Sequence, residues 1–326
     1  MDPRIATATL AALLTLSAPS LFAKSGALSL VPNNAVTVGM VKLSELRTSP
    51  LSSTLFKQTD HLGANGDAAD FIRETGLDPA KDIDTVVVAT TPRTALGTDA
   101  DVLVIAEGRF NVKRLTKAIT AHGATKKAGY YLLDNDNRDS SKTAAVAFLS
   151  SGVAVGGSEK AVIDAIAANV KGDTGFAQAS ALGHDLARID STASAWLLVD
   201  VPRASRLAGG LNMPGGQESP SQAFAAAIKS VSTIGIWGID SGDALKFGGF
   251  GVSTDGETLE LLEDTIRGAL SAMRLAVKDK APEMVSVLRR FEVSRTSDTV
   301  RVNGSIPAEI LRELQAKKPV AKTATK

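Results

Sequence analysis

Residues 83–91 read IDTVVVATT, and residues 231–239 read VSTIGIWGI. Both runs are rich in β-branched residues and carry a period of two, the pattern of a strand. Ile83, Thr85, Val86 and Val88 fall opposite Val231, Thr233, Ile234 and Ile236 at one constant offset of 148 residues. One matched strand means little alone, so the neighbouring elements decide whether it belongs to a repeat.

They match as well. DVLVIAEGRF (101–110) and ALKFGGFGVS (244–253) follow as second strands and lead to Asn111 and Asp255, 144 residues apart. Either side chain can cap a helix, because its oxygen accepts a hydrogen bond from a free amide of the first turn. The predicted helices carry apolar stripes at spacings of three and four: Val112, Leu115 and Ile119 in one, Leu259, Leu262, Ile266, Leu270, Met273 and Val277 in the other. Glu263 and Arg267, four apart off that stripe, suit a solvated ion pair. VAVGGS (153–158) and VRVNGS (300–305) then align at an offset of 147, with AVIDAI and AEILREL as closing helices. Upstream, VPNNAVTVGMVKLSEL (31–46) and SAWLLVDVPRASRL (194–207) each run from a strand into a helix, and Pro202 stands where that helix begins.

Offsets that drift only across loops predict a tandem duplication of about 145 residues per unit. The expected fold class is α+β: two related units of antiparallel sheet with helices on one face, each ordered strand, helical segment, two strands, helix, two strands, helix. The first unit is placed at 24–172, a linker at 173–191 and the second unit at 192–316. Gly157 and Gly304 are read as structural turns, where glycine tolerates positive φ. A helix N-terminus also binds anions, but no Lys-Ser or Lys-Thr pair follows either glycine as a phosphate loop requires.

With 44% apolar residues the chain can build sizeable cores, and with 4% aromatic residues those cores are aliphatic. Lysine plus arginine total 36 against 35 acids, and Lys317, Lys318, Lys322 and Lys326 fall in the last ten residues. The body is therefore weakly acidic, which speaks against a nucleic-acid partner. Residues 317–326 are expected to be a disordered basic tail. The start, MDPRIATATLAALLTLSAPSLFAKSG, has a charged residue, an apolar centre and a small residue at Ala23, the order of a secretory signal at 1–23. The localisation expected is periplasmic or secreted, with no membrane span after cleavage. No cysteine is present, which removes disulfides and thiolate chemistry.

Catalytic patterns were sought along the whole chain. His61, His122 and His184 are far apart and form no H-x-x-x-H pair. No G-x-S-x-G or S-x-x-K occurs. Asp134, Asp136 and Asp139 lack the glycine and the twelfth-position glutamate of a calcium loop, so a polar hairpin between YYLLD and AAVAFL accounts for them. No catalytic residue, metal ligand or cofactor is assigned. Trp196 and Trp237 have no counterpart in the first unit and hint that the second does something the first does not. Two loops rich in Gly, Asn, Asp and Pro, 58–70 and 207–222, leave the same point of each unit. Their candidate interaction residues are His61, Asn65, Asp67, Asn212, Met213 and Glu218.

At VPNNAVTVGMVKLSEL, after a signal and before duplicated strand-helix units, the chain resembles a group of uncharacterised exported bacterial proteins built on a domain of unknown function. The resemblance implies location and fold, and it carries no site. The function expected is a non-enzymatic binding or interaction module of the bacterial cell envelope. Its partner would be an envelope protein or a small apolar ligand; the alternatives are a hydrolase with an unrecognised carboxylate site and a carrier of an apolar ligand.

Overall fold

The upstream strand-to-helix stretches, VPNNAVTVGMVKLSEL and SAWLLVDVPRASRL, pair with each other through their strands. A computed structural model describes residues 26–49, 72–94, 99–133, 143–172, 175–207, 227–279 and 281–316. In chain order its strands are β1 (Thr37–Lys42), β2 (Ile83–Pro92), β3 (Ala100–Gly108), β4 (Thr125–Lys126), β5 (Tyr131–Leu133), β6 (Ala144–Phe148) and β7 (Val153–Ser158). They continue with β8 (Ala195–Asp200), β9 (Thr233–Asp240), β10 (Ala244–Val252), β11 (Glu292–Arg295) and β12 (Thr299–Pro307). The helices are α1 (Leu43–Arg47), α2 (Pro79–Asp82), α3 (Val112–Ala121), α4 (Glu159–Lys171), α5 (Phe176–Ala179), α6 (Ala181–Asp185), α7 (Val201–Leu207), α8 (Gly256–Val277), α9 (Pro282–Leu288) and α10 (Ala308–Ala316).

All twelve strands join one antiparallel sheet in the order β11-β12-β10-β9-β8-β1-β2-β3-β7-β6-β5-β4. Read outward from the β1–β8 seam, the order is the same on both sides: β1-β2-β3-β7-β6 and β8-β9-β10-β12-β11. At the seam Val38 pairs with Leu198, Gly39 with Leu197 and Met40 with Trp196. The strands between residues 37 and 158 lie on one side of the seam and those between 195 and 307 on the other.

Because strand side chains alternate between faces, the register fixes which residues share a layer. One row crosses the sheet as Ala147, Val155, Ile105, Val87, Met40, Trp196, Trp237, Gly248 and Asn303. The neighbouring row is Ala145, Gly157, Leu103, Ala89, Val38, Leu198, Gly235, Phe250 and Arg301. Their apolar members form the main core with Ala161, Val162, Ala165 and Ala168 of α4. The 3-10 turn Gly26–Leu30 adds Ala27, Leu28 and Leu30, and the Ala27 amide donates to the Glu107 carboxylate at 2.7 Å.

A smaller core of Val201, Ala227, Val231, Leu259, Leu262 and Val300 lies on the other face, beneath α8. The parity of β10 proves the division: the Phe250 side chain joins the main core, while a Cβ on its neighbour Gly251 would meet Leu262 of α8 at 2.8 Å. The antiparallel α+β class is thus as the sequence indicates, but the helices divide between both faces. From Ile234 to Ile239 and from Phe247 to Val252 both parities are apolar or glycine, as suits a sheet packed on both faces, although Ile236 stays half exposed.

Two local readings hold in atomic detail. Asn111 accepts from the Arg114 amide at the start of α3, and Asp255 from the Thr258 amide at the start of α8. Glu263 pairs with Arg267 at 2.7 Å. The segment read as a linker is folded where it is described: Phe176 is fully buried, and Leu182, Leu186 and Ile189 join it in the main core.

The glycine reading needs correction. Gly157 has φ 138°, yet it sits inside β7 opposite Leu103, where a Cβ would lie 2.0 Å from the Val102 carbonyl oxygen. Gly304 is not among the positive-φ glycines; it lies in β12, where a Cβ would strike the Phe291 ring at 2.5 Å. The two are also not equivalent. Counted from the seam, Gly157 corresponds to Asn303, and Gly304 points to the opposite face, because a one-residue shift in a strand exchanges the faces.

Gly268 contrasts with both. It sits exposed within α8 with nothing within 4 Å of an added Cβ. Gly268→Ala should raise stability by roughly 0.5–1 kcal/mol, read as a higher denaturation midpoint at an unchanged slope.

Candidate functional site

The halves part company at the end of the two rows. Where the first half places Val155 and Gly157, the second places Arg301 and Asn303. Their floor is built by two glycines. A Cβ on Gly248 would lie 1.9 Å from Cζ2 of Trp237, and one on Gly235 would lie 2.3 Å from Cε1 of Phe250. Since Trp237 pairs with Gly248 and Phe250 with Gly235, each ring lies flat over the bare backbone of the neighbouring strand.

The ring centroids are 6.2 Å apart at 44°. The Arg301 guanidinium lies over both rings, 5.1 Å from the Trp237 centroid and 5.7 Å from that of Phe250. Two aromatic faces hold a planar cation by their negative quadrupoles. Arg301 also donates to the Arg188 carbonyl oxygen at 3.0 Å. Burial and then the Arg188 charge push its proton affinity below the usual arginine value, while Asp190 pulls it back up.

Arg188 ties this end of the sheet to the folded connection between the halves. Its side chain pairs with Asp185 at 2.8 Å and Asp298 at 2.7 Å and donates to the Thr299 hydroxyl at 2.7 Å. These bonds fix the carbonyl that receives Arg301.

Around the pair opens a cleft of about 550 Å³ lined by Arg188, Asp190, Trp237, Lys246, Arg290, Glu292, Arg301, Asn303 and Ser305 among others. That volume is within the range of about 300–1,000 Å³ of small-ligand sites. Two other hollows are lined by arginines already engaged. Arg267 and Arg274 of a hollow of about 570 Å³ bond Glu263 and the carbonyls of Val293 and Leu288. Arg93 and Arg203 of a third bond Asp101, Asp200 and the Asn34 carbonyl. In the cleft over Trp237, by contrast, the side chains of Lys246 and Arg290 have no hydrogen-bond or ion-pair partner among the described residues, and that of Arg301 has no ion pair.

Asp190 is held below the usual carboxylate range, first by the Thr192 hydroxyl and amide and further by Lys246 and Arg301. Arg188 does the same for Asp298, aided by Thr299. Both acids titrate lower in the folded chain than in the unfolded one, so their stabilisation is complete above the ordinary carboxylate range and is lost as pH falls through their lowered values. The thermal midpoint should therefore fall below about pH 4. An Arg188→Ala variant, followed by circular dichroism, should start lower at pH 7 and fall less steeply.

The sequence-derived loop residues His61, Asn65, Asp67, Asn212, Met213 and Glu218 lie outside the described residues. His122 caps the end of α3, and its Nε2 stands 3.1 Å from the Glu74 carboxylate. The cleft's basic residues were not singled out from sequence, although Arg301 lies in the quoted VRVNGS.

A scan against protein-family models finds no match, and a search of curated proteins finds none either. Among solved structures the chain is similar to crystal forms of TP0453. Form I matches at 10% identity and a TM-score of 0.47, covering 89% of this chain and 97% of that one. Form III gives 11% identity and 0.49 over the same shares. Form IV gives 10% and 0.46 over 91% and 99%. No residue role is taken from them. No helix among the described residues is long and apolar enough to cross a membrane.

Proposed function

We propose that the chain is an exported, non-enzymatic binding module of the bacterial cell envelope, periplasmic or secreted, and that the cleft over Trp237 is its capture surface. The observation that carries this reading is the cleft itself, where the side chains of Lys246, Arg290 and Arg301 make no ion pair among the described residues above an aromatic floor. The signal-like start motivates the location. The common strand order on either side of the seam supports derivation of both halves from one duplicated unit, with the second altered at its outer end.

The same geometry weighs against the alternatives. The apolar hollow between α8 and the sheet, lined by Ile228, Ile234, Leu262 and Val300 among others, has a volume of about 150 Å³, below that of small-ligand sites. A hydrolase of the paired-carboxylate kind keeps one acid protonated near neutrality by raising its pKa. Asp190 is instead held charged and serves as an acceptor.

Two measurements test the proposal. Protein recovered from an expressing bacterium should begin near Lys24; intact Met1 in a cytosolic fraction would remove the export step. Tagged wild-type protein, incubated with its own envelope extract, should retain a component that Arg301→Glu/Lys246→Glu does not. Equal retention by both would show that the cleft is not the capture surface.

A further inference from the structure

We propose that the cleft over Trp237 binds a small solute through an oxyanion, carboxylate or phosphate, held by Arg301 with Lys246 and Arg290. This deepens the binding-module reading and rests on it. Arg301 is the anchor. Its guanidinium is oriented before any ligand arrives, set over two rings and bonded to a backbone carbonyl. One amino group is thereby engaged while other donors of the planar fork remain for an oxyanion, which matches that fork in shape.

Preorganisation lowers the entropic cost of binding. It distinguishes Arg301 from a solvated surface arginine, whose contacts contribute little. Lys246 shares the face of Gly248 and Phe250, two and four residues on, and so projects into the same layer as Arg301. Asn303 and Ser305 follow Arg301 at the same parity on β12 and offer neutral donors and acceptors to the rest of the solute. Asp190 and Glu292 at the rim repel a highly charged polyanion, so one oxyanion on an otherwise polar, uncharged body fits best.

Trp237 beneath Arg301 makes the cleft its own reporter. In a Trp196→Phe background its fluorescence should change saturably on titration with glutaramate, which carries one carboxylate on a neutral amide body, with inorganic phosphate or with both, and stay unchanged with uncharged glutaramide. Response to glutaramate alone assigns a carboxylate, and to phosphate alone a phosphate-bearing solute. Arg301→Gln should raise the half-saturating concentration roughly tenfold or more, while Arg206→Gln, outside the cleft, should leave it unchanged. The chain has no cysteine, so Asn303→Cys supplies a unique thiol whose alkylation the same anions should slow. This second readout decides the matter if Trp237 is insensitive. The proposal is overturned if neither anion acts on either readout, if glutaramide acts equally, or if folded Arg301→Gln responds like wild type. Should the anions fail while Arg301→Glu/Lys246→Glu still abolishes envelope capture, the oxyanion class falls and the binding-module reading stands.

Discussion

Gly248→Ala should destabilise the protein by about 3 kcal/mol, at the upper end of the range for overpacked cores. The added methyl would lie 1.9 Å from the indole of Trp237, which is 7% exposed and packed beside Phe250. The ring cannot retreat without lifting Arg301 off its face. Equilibrium unfolding in urea should show the loss, and the tryptophan emission of the folded variant should shift. A loss below about 1 kcal/mol would mean that the ring does not rest on the bare β10 backbone.

Phe176→Ala should cost about 3–5 kcal/mol, the usual range for emptying a buried phenylalanine site. Phe176 belongs to the connection between the halves, read from sequence as a linker. A linker residue would change the midpoint little. Phe176 is instead fully buried, and α6 and the turn after it seat Leu182 and Leu186 in the same core. The connection thereby fixes Arg188, whose carbonyl orients Arg301. The variant should accordingly weaken any ligand effect on Trp237 even where it remains folded.

How much of this was legible beforehand depends on the kind of signal. Strands and caps are written locally, in the alternation of Val86 and Val88 or the placing of Asn111 and Asp255, and these hold in the structure. Pairing partners are non-local. Nothing in VTVGMV announces that it meets AWLLVD, so the seam and the single sheet were not legible. Counted outward from the seam, β7 and β12 stand one residue off the alignment that the glycines of VAVGGS and VRVNGS invite. Their roles differ: Gly157 leaves room for a carbonyl and Gly304 for the Phe291 ring.

That one-residue offset hid the candidate site. Counted from the seam, Arg301 stands where the first half has Val155, a charge in place of a core residue, which is a strong signal in an alternating strand. The asymmetry of Trp196 and Trp237 pointed to the right half, but the cleft needs Arg188, Lys246 and Arg290 from three separate segments. Only the topology brings them together.

Every comparison between the two halves descends from the register at the β1–β8 seam, and that register can be read chemically. The Lys42 amide donates to the Ser194 carbonyl and the Asp200 amide to the Val36 carbonyl, each at 2.8 Å, which leaves Gly39 and Leu197 as a directly opposed, non-hydrogen-bonded pair. Such pairs stand about 4.5 Å apart at Cα, within disulfide reach. In this cysteine-free chain, Gly39→Cys/Leu197→Cys should form an intramolecular disulfide on mild oxidation, seen as the loss of both free thiols in a monomer. Gly39→Cys/Leu198→Cys, one residue out of register and on opposite faces, should keep both thiols. Closure of the second pair and not the first would contradict the seam and everything built outward from it.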